Sequence, residues 1–189
     1  MWSELDWKLG IGNEGMKIIS LIGMTGVGKT TVGRAAAKRL NYIFLDLDEI
    51  IAEKTKKTPR EIFNIYGESE FRRIESEELK KIFEDYTANG NDGEVLILSC
   101  GGGIVLRAEN NILLKKYSYV VWLDRPVEEI MKSVEIMSRP PINGDINNYI
   151  SLKNERELLY SSICDLKIEY RDTEEAIALL LSERGFEGL

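Results

Sequence analysis

The chain has 189 residues, of which 43% are hydrophobic and 30% are charged, a composition typical of one ordinary globular domain. Its formal charge of −7 argues against a broad surface for nucleic acid or an anionic membrane, so any anion must be bound by a local group of cations. The sequence contains no histidine, which excludes histidine general bases, Ser-His-Asp triads and most zinc sites.

The first segment, residues 1–16, has neither the basic start nor the apolar middle of a secretory signal, and we interpret it as an N-terminal extension. Residues 17–189 are expected to form a single domain. No apolar run in the sequence approaches the roughly 20 residues that a membrane span needs.

Short apolar runs alternate with longer amphipathic segments along the chain. The apolar runs predict strands at residues 17–22, 42–45, 94–98, 117–123 and 165–170. The amphipathic patterns predict helices at residues 29–40, 47–56, 58–65, 68–86, 104–115, 126–136, 150–163 and 173–184. Strands separated by helices indicate an α/β fold, in which a parallel sheet is covered on both faces. Residues 138–148, SRPPINGDINN, have the composition of a mobile loop over a site, and we interpret them as a lid.

A phosphate-binding pattern precedes the first predicted helix. Residues 23–30, GMTGVGKT, fit G-x-x-x-x-G-K-[ST] between a strand and a helix, where backbone N–H groups and the helix N-terminus attract an anion. Lys29 is suited to the β- and γ-phosphates of a nucleoside triphosphate, and the Thr30 hydroxyl to Mg²⁺. The alternative is a Gly-rich turn without a ligand. The predicted nucleotide-binding residues are Gly26, Val27, Gly28, Lys29, Thr30 and Thr31.

Two aspartates follow the second predicted strand, in FLDLDEII. In an extended segment the spacing of Asp46 and Asp48 points both carboxylates to one side, and ligands bind beyond the carboxyl ends of parallel strands. One carboxylate is expected beside a metal and the other beside the hydroxyl group of an acceptor. The alternative is that either aspartate caps the following helix, and the two roles do not exclude each other.

Two arginines lie on or beside the apolar faces of predicted helices. Arg156 is four residues after Leu152 on such a face, where arginine is rare without an anionic partner. Arg72 borders the apolar face of its helix, and Glu75 is spaced to orient and neutralise the guanidinium group. For Arg72 an ordinary helix salt bridge with Glu68 or Glu75 is the alternative.

The third predicted strand ends in LSCGGGI. Glycine destabilises regular structure by roughly 0.5–1 kcal/mol relative to alanine, so three in a row indicate a group that approaches the main chain too closely for a side chain. We expect that group to be a bound ligand. Cys100 and Cys164 are far apart and in no metal-ligand spacing, so we expect free thiols in a reducing cytoplasm.

In order and spacing, the phosphate loop, DLD, GESEFRRIE, GGG, RPP and ERELLY together resemble the shikimate kinase family, over about residues 17–182. The resemblance implies a three-layer P-loop sandwich with a mobile lid and a five-stranded parallel sheet in the order 2-3-1-4-5. It also implies transfer of the γ-phosphoryl group of ATP to the 3-hydroxyl of shikimate. A kinase of another small hydroxy acid such as gluconate is the alternative, and a non-catalytic nucleotide-dependent switch is a second.

The same resemblance implies residues for the acceptor. Asp48 resembles the residue that binds and orients the shikimate hydroxyls. Arg72 and Arg156 resemble the pair that clamps the substrate carboxylate. The three glycines resemble those that contact the shikimate ring, namely Gly101, Gly102 and Gly103.

Further roles implied by the resemblance concern the transferred group. Asp46 resembles the residue near the magnesium, which Thr30 also contacts, and Arg139 resembles the lid arginine that meets the nucleotide phosphates. Lys29, Asp48 and Arg139 are therefore the predicted catalytic residues. ATP, shikimate and Mg²⁺ are the expected ligands of a cytoplasmic monomer that binds neither nucleic acid nor membrane.

Overall fold

The protein is described by a computed structural model that covers residues 18–88, 94–132 and 145–182. The strands are β1 (Ile18–Ile22), β2 (Ile43–Asp46), β3 (Leu96–Ser99), β4 (Tyr119–Asp124) and β5 (Leu166–Glu169). The helices are α1 (Lys29–Leu40), α2 (Leu47–Thr55), α3 (Pro59–Ala88), α4 (Ala108–Tyr117), α5 (Val127–Ile130), α6 (Ile146–Ile163) and α7 (Thr173–Ser182). A 3₁₀ turn covers Ile104–Leu106.

The five strands form one parallel sheet in the order β2-β3-β1-β4-β5, as predicted. All side chains of the inner strands β1 and β3 are buried, which explains why these strands are continuous apolar runs rather than alternating patterns. The carboxyl ends of the strands lie at one edge. Asp46 at the end of β2 is in register with Ser99 at the end of β3.

Helices cover both faces of the sheet. Gly33 of α1 packs on one face, because a Cβ added to it would lie 2.8 Å from Leu21 Cδ1. Leu21 is in register with Val121, so Trp122, the next residue of β4, points to the opposite face. There Trp122 stacks on Tyr160 of α6, with ring centroids 5.7 Å apart. The three-layer arrangement is therefore confirmed.

Two predicted helices lie in the single element α3. The predicted helices at 58–65 and 68–86 meet at Gly67, whose φ of 83° and ψ of 170° interrupt the helical geometry. The region predicted as one helix at 104–115 instead forms a 3₁₀ turn followed by α4. No helix in the described parts of the chain has the length and hydropathy that crossing a bilayer requires.

Helix α6 begins within the segment predicted as a lid. Oδ1 of Asp145 accepts a hydrogen bond from the backbone N–H of Asn147 at 2.8 Å, an N-cap that starts the helix at Ile146. Residues 146–148 are therefore helical. Residues 138–144 lie outside the described residues.

Candidate active site

The phosphate loop connects β1 to α1 in the predicted conformation. Gly28 has a φ of 99°, a left-handed geometry that favours glycine, and it stands at the N-cap of α1 without a side-chain cap. The first N–H groups of the helix therefore receive no hydrogen bond acceptor from a capping side chain, which suits an anion. Lys29 is buried and lies across the loop, with Nζ 2.9 Å from the carbonyl oxygens of both Gly23 and Met24.

Asp46 contacts two parts of the site, and one contact is the helix cap that the sequence offered as an alternative. Its Oδ1 accepts hydrogen bonds from the backbone N–H groups of Asp48 (2.9 Å) and Glu49 (3.3 Å), and so it caps α2. Its Oδ2 accepts a hydrogen bond from the Thr30 hydroxyl at 2.6 Å. The cap and the contact with the phosphate loop are thus made by the same carboxylate.

The spacing of the two aspartates predicted an extended segment, but Asp48 lies in a helix. The chain turns into α2 at Leu47, and the cap of Asp46 on its N–H places Asp48 in the first turn of that helix. Its carboxylate still faces the same sheet edge, because a Cβ added at Gly101 would lie 3.2 Å from Asp48 Oδ1. The two aspartates therefore face different neighbours, the phosphate loop and the glycine run.

Arg72 is held by a buried carboxylate and two aromatic rings as well as by an exposed salt bridge. Its Nη1 donates to Oε2 of Glu75 at 2.7 Å and its Nη2 to Oε1 of Glu68 at 3.2 Å. The guanidinium carbon also lies 5.6 Å and 5.2 Å from the ring centroids of Phe63 and Phe71. The Arg72 side chain is 13% exposed and Glu75 is fully buried. The salt bridges to Glu68 and Glu75, which the sequence offered as the alternative to a binding role, are both present. The guanidinium group is nevertheless largely buried.

Glu75 is a fully buried carboxyl group. Burial raises the pKa of its carboxyl group, and the Arg72 guanidinium opposes that rise. Among the described residues, none donates a hydrogen bond to its Oε1. That oxygen lies beside Gly101, since an added Cβ would come within 2.5 Å of it.

Arg156 is buried, as its position on the apolar face predicts. Its Nη1 donates to the carbonyl oxygen of Gly102 at 3.1 Å, and the Tyr160 hydroxyl donates to the same oxygen. Burial raises the pKa of the Tyr160 phenol to about 12, so the hydroxyl remains a donor at neutral pH. Tyr160 was not predicted as a site residue, although its position four residues after Arg156 places both on one helix face.

The three consecutive glycines are required by close packing, because none of them has a positive φ. An added Cβ at Gly101 would contact Glu75, one at Gly102 would lie 2.8 Å from the backbone nitrogen of Thr25, and one at Gly103 would overlap the Arg72 guanidinium. The space that we expected a ligand to require beside these Cα atoms is therefore filled by the protein's own groups. Contact of a substrate ring with other atoms of these glycines stays a prediction.

A cavity of about 320 Å³ adjoins the phosphate loop at the carboxyl ends of β4 and β5. The Tyr170 hydroxyl donates to the carbonyl oxygen of Val27, which joins the cavity wall to the loop. Within the same lining, Arg125 Nε donates to the carbonyl oxygen of Arg171 at 2.9 Å. The lining residues are Asp124, Arg125, Pro126, Lys153, Glu169, Tyr170, Arg171 and Glu175.

Comparison with known proteins identifies the family. The family model described as "Shikimate kinase" matches residues 25–184. The chain is 37% identical to the shikimate kinase of Clostridium beijerinckii over 156 residues, which are 82% of this chain and 86% of that protein. It is 43% identical to the shikimate kinase of Nostoc punctiforme over 157 residues, which are 82% and 81% of the two chains. The chain belongs to the shikimate kinase family.

Solved structures agree with this assignment. A shikimate kinase from Acinetobacter baumannii, in complex with shikimate, superposes with a TM-score of 0.77 at 32% identity and covers 89% of this chain and 93% of its own. A gluconokinase from Sinorhizobium meliloti reaches a TM-score of 0.54 at 17% identity, over 87% and 90% of the chains, and shares the fold alone. The predicted family, the enzyme class and the P-loop α/β fold are therefore confirmed.

Predictions about the cysteines, the lid arginine and the N-terminal segment fall into two groups, those that the structure describes and those outside it. Both cysteines are free, as expected, with Cys100 buried and Cys164 half-buried. The predicted lid arginine, Arg139, lies outside the described residues, as does the predicted extension at 1–16. The roles assigned to individual site residues of this shikimate kinase family member stay predictions.

Proposed function

We propose that this protein transfers the γ-phosphoryl group of ATP to the 3-hydroxyl of shikimate and releases shikimate 3-phosphate and ADP. Membership of the shikimate kinase family supports this pair of substrates. The observation that carries the proposal is the meeting, at one sheet edge, of the phosphate loop, Asp48, the largely buried Arg72 and the buried Arg156.

The nucleotide is proposed to bind along the loop between β1 and α1. The uncapped N-terminus of α1 suits the phosphates, and Lys29 exchanges its two carbonyl acceptors for phosphate oxygens. The nucleoside is proposed to lie in the cavity beside Tyr170 and Arg125, which adjoins the loop.

The residues beside the loop fit magnesium. Mg²⁺ prefers oxygen ligands and is commonly held by one or two protein oxygens together with substrate phosphates and water. Thr30 Oγ1 and Asp46 Oδ2 supply two such oxygens 2.6 Å apart next to the phosphate site. Among the described residues no cluster of three or more His, Cys, Asp or Glu side chains is placed to hold a metal. When bound, the ion would neutralise charge on the phosphate oxygens.

The acceptor is proposed to bind by its two ends. The planar guanidinium groups of Arg72 and Arg156 match a carboxylate, and their burial leaves them little competition from water. Asp48 orients the reacting hydroxyl from the first turn of α2 and accepts its proton. A strong base is not required, since phosphoryl transfer depends mainly on alignment and charge stabilisation.

Arg139 is proposed to complete the charge stabilisation. Its guanidinium group would meet the transferred oxygens together with Lys29, as the family resemblance implies. The segment that carries it is proposed to exclude water from the phosphoryl group.

The protein is further proposed to act as a cytoplasmic monomer. Two free cysteines support a reducing compartment, where thiols stay unpaired. Light scattering of the purified chain tests the monomer, for which one species of 21.5 kDa is expected.

A substrate panel tests the proposed reaction. The purified chain is incubated with ATP, Mg²⁺ and either shikimate, gluconate or no acceptor, and ADP release is coupled to a spectroscopic signal. We expect turnover with shikimate far above the other two reactions. Preferred turnover of gluconate would favour the alternative kinase, whereas nucleotide binding without turnover of any acid would favour a switch.

A further inference from the structure

Helix α6 carries Arg156 but buries few side chains. Of its 18 residues, the buried ones are Tyr149, Arg156, Tyr160 and Ile163. The outer face is open, and Leu158 is 78% exposed. The fully buried contacts of this helix therefore come from a short stripe of side chains, and three of its four members end in a polar group.

The three polar tips all bind backbone carbonyl groups of the site. The Tyr149 hydroxyl donates to the carbonyl oxygen of Thr25 in the phosphate loop at 3.0 Å. Arg156 and Tyr160 donate to the carbonyl oxygen of Gly102. The helix thus contacts the nucleotide side and the acceptor side of the site with one face.

The two bound carbonyl groups belong to backbone segments that pack against each other. A Cβ at Gly102 would lie 2.8 Å from Thr25 N and 3.3 Å from the carbonyl carbon of Met24. Lys29 donates to the carbonyl oxygens of Gly23 and Met24 in the same stretch. A displacement of α6 relative to this stretch would therefore move Arg156 relative to the phosphate loop.

We propose that Tyr149 is a positioning residue whose hydroxyl fixes α6 against the phosphate loop and so aligns the acceptor, held by Arg156, with the phosphoryl group of the nucleotide. This inference rests on the proposed function. Tyr149 is the first member of the stripe and contacts Thr25, so it anchors the start of the helix to the phosphate loop and takes no part in the Gly102 contact. Its ring is fully buried, and the burial raises the pKa of its phenol, which keeps the hydroxyl a donor throughout the neutral range.

The test compares Tyr149→Phe with the unsubstituted chain, since phenylalanine keeps the buried ring and removes only the hydroxyl. Loss of one alignment contact is expected to lower kcat by about three- to tenfold. Calorimetric Kd values for shikimate alone and for ADP with Mg²⁺ alone are expected to change by less than about twofold, because each half of the site is intact. Amide hydrogen exchange in the first turns of α6 is expected to accelerate.

The matched control is Tyr86→Phe. Tyr86 also donates its hydroxyl to a backbone carbonyl, that of Glu94, at 2.9 Å, but it lies away from the site. We expect the kcat of this variant to equal that of the unsubstituted chain.

The outcomes separate this inference from the proposed function. An unchanged kcat or unchanged α6 exchange in Tyr149→Phe would overturn the inference and leave the proposed function in place. A rise in the shikimate Kd by the same factor as the fall in kcat would also overturn it, because Tyr149 would then contribute to binding rather than alignment. Absence of shikimate turnover in the unsubstituted chain would overturn both.

Discussion

Asp46 uses both of its carboxylate oxygens within the protein, one to cap α2 and one to accept the Thr30 hydroxyl. Glu75 and Gly103 also serve other site residues. Glu75 accepts a hydrogen bond from Arg72, and the absence of a side chain at Gly103 leaves space for the Arg72 guanidinium group. Residues of this site therefore support one another as much as they face a ligand. Substitutions must be designed to separate the two effects.

Arg156→Lys separates charge from geometry at the carboxylate site. Lysine keeps the positive charge but lacks the planar fork, so the two parallel hydrogen bonds that a guanidinium group makes to a carboxylate are lost. A lost charge-assisted hydrogen bond is worth about 1.5–3 kcal/mol, so we expect the shikimate Kd to rise roughly 10- to 100-fold. The ADP Kd should stay within about twofold.

Calorimetry and a thermal melt on the same Arg156→Lys sample make this distinction. A shikimate Kd close to that of the unsubstituted chain would contradict the assigned role. A large fall in melting temperature with equal weakening of both ligands would mean that Arg156 serves mainly the fold.

Glu75→Gln tests the buried carboxyl group through the pH dependence of stability. Burial raises the pKa of Glu75 above its usual 4.5 in the folded chain. Its contribution to stability is therefore fully present below pH 4.5 and is lost as pH rises through the folded pKa, because only the unfolded chain ionises freely. Glutamine does not titrate, so the unfolding free energy of the variant should increase relative to the original chain as pH rises from 4.5 to 8.

Urea unfolding at several pH values measures this difference. Glu77→Gln is the control, since Glu77 is an exposed carboxylate on the same helix. A difference for Glu75→Gln that is constant, or that falls with pH, would be inconsistent with a carboxyl group whose pKa is raised in the folded chain.

At the scale of elements, the break in α3 determines where Arg72 points. Gly67 combines a φ of 83° with a ψ of 170°, a conformation available essentially to glycine alone. The helix half before it contributes Phe63, and the half after it contributes Phe71 and Arg72, which meet around the guanidinium. The interruption thus folds two helix segments around one functional side chain.

Gly67→Ala should be destabilising for backbone reasons alone. An added Cβ meets no described atom within 4 Å, so the expected cost is strain of about 1–3 kcal/mol. Denaturant unfolding measures it, with alanine at exposed Ser69 as a neighbouring control. A stability equal to that of the original chain would show that α3 straightens without penalty.

Sequence patterns predicted elements well where burial is complete. Strands β1 and β3 are uniformly apolar because both faces of the sheet are covered, and their locations were therefore predicted. The start of α6 was missed because it depends on one capping hydrogen bond from Asp145 in a segment rich in turn-forming residues. The division of 104–115 into a 3₁₀ turn and α4 was missed because both conformations have similar periodicity.

At the scale of the molecule, the sheet order brings distant motifs to one edge. Strand β1 lies between β3 and β4, so the phosphate loop stands beside the glycine run, and β2 adds Asp46 next to Ser99. A chain with a formal charge of −7 thus places buried or largely buried cations at that edge, where we propose that anions bind. This explains why composition gave no indication of the anion site, while motif spacing did.

The tyrosine contacts could not be predicted from motif spacing. Tyr149, Tyr160 and Tyr170 each donate to a backbone carbonyl group, and a carbonyl acceptor leaves no residue-specific signal in the sequence. The salt bridge between Arg72 and Glu75 was predictable from spacing, because both residues lie three positions apart on one helix.

The identity of the phosphorylated oxygen tests the whole arrangement most directly. After reaction of the purified chain with ATP, Mg²⁺ and shikimate, ³¹P–¹H correlation NMR reports which ring carbon carries the phosphate. The proposed reaction, with the carboxylate clamped and one hydroxyl oriented, predicts a single product with phosphorus coupled to the proton on carbon 3. A mixture of phosphate positions, or inorganic phosphate without a phosphorylated ring, would contradict it.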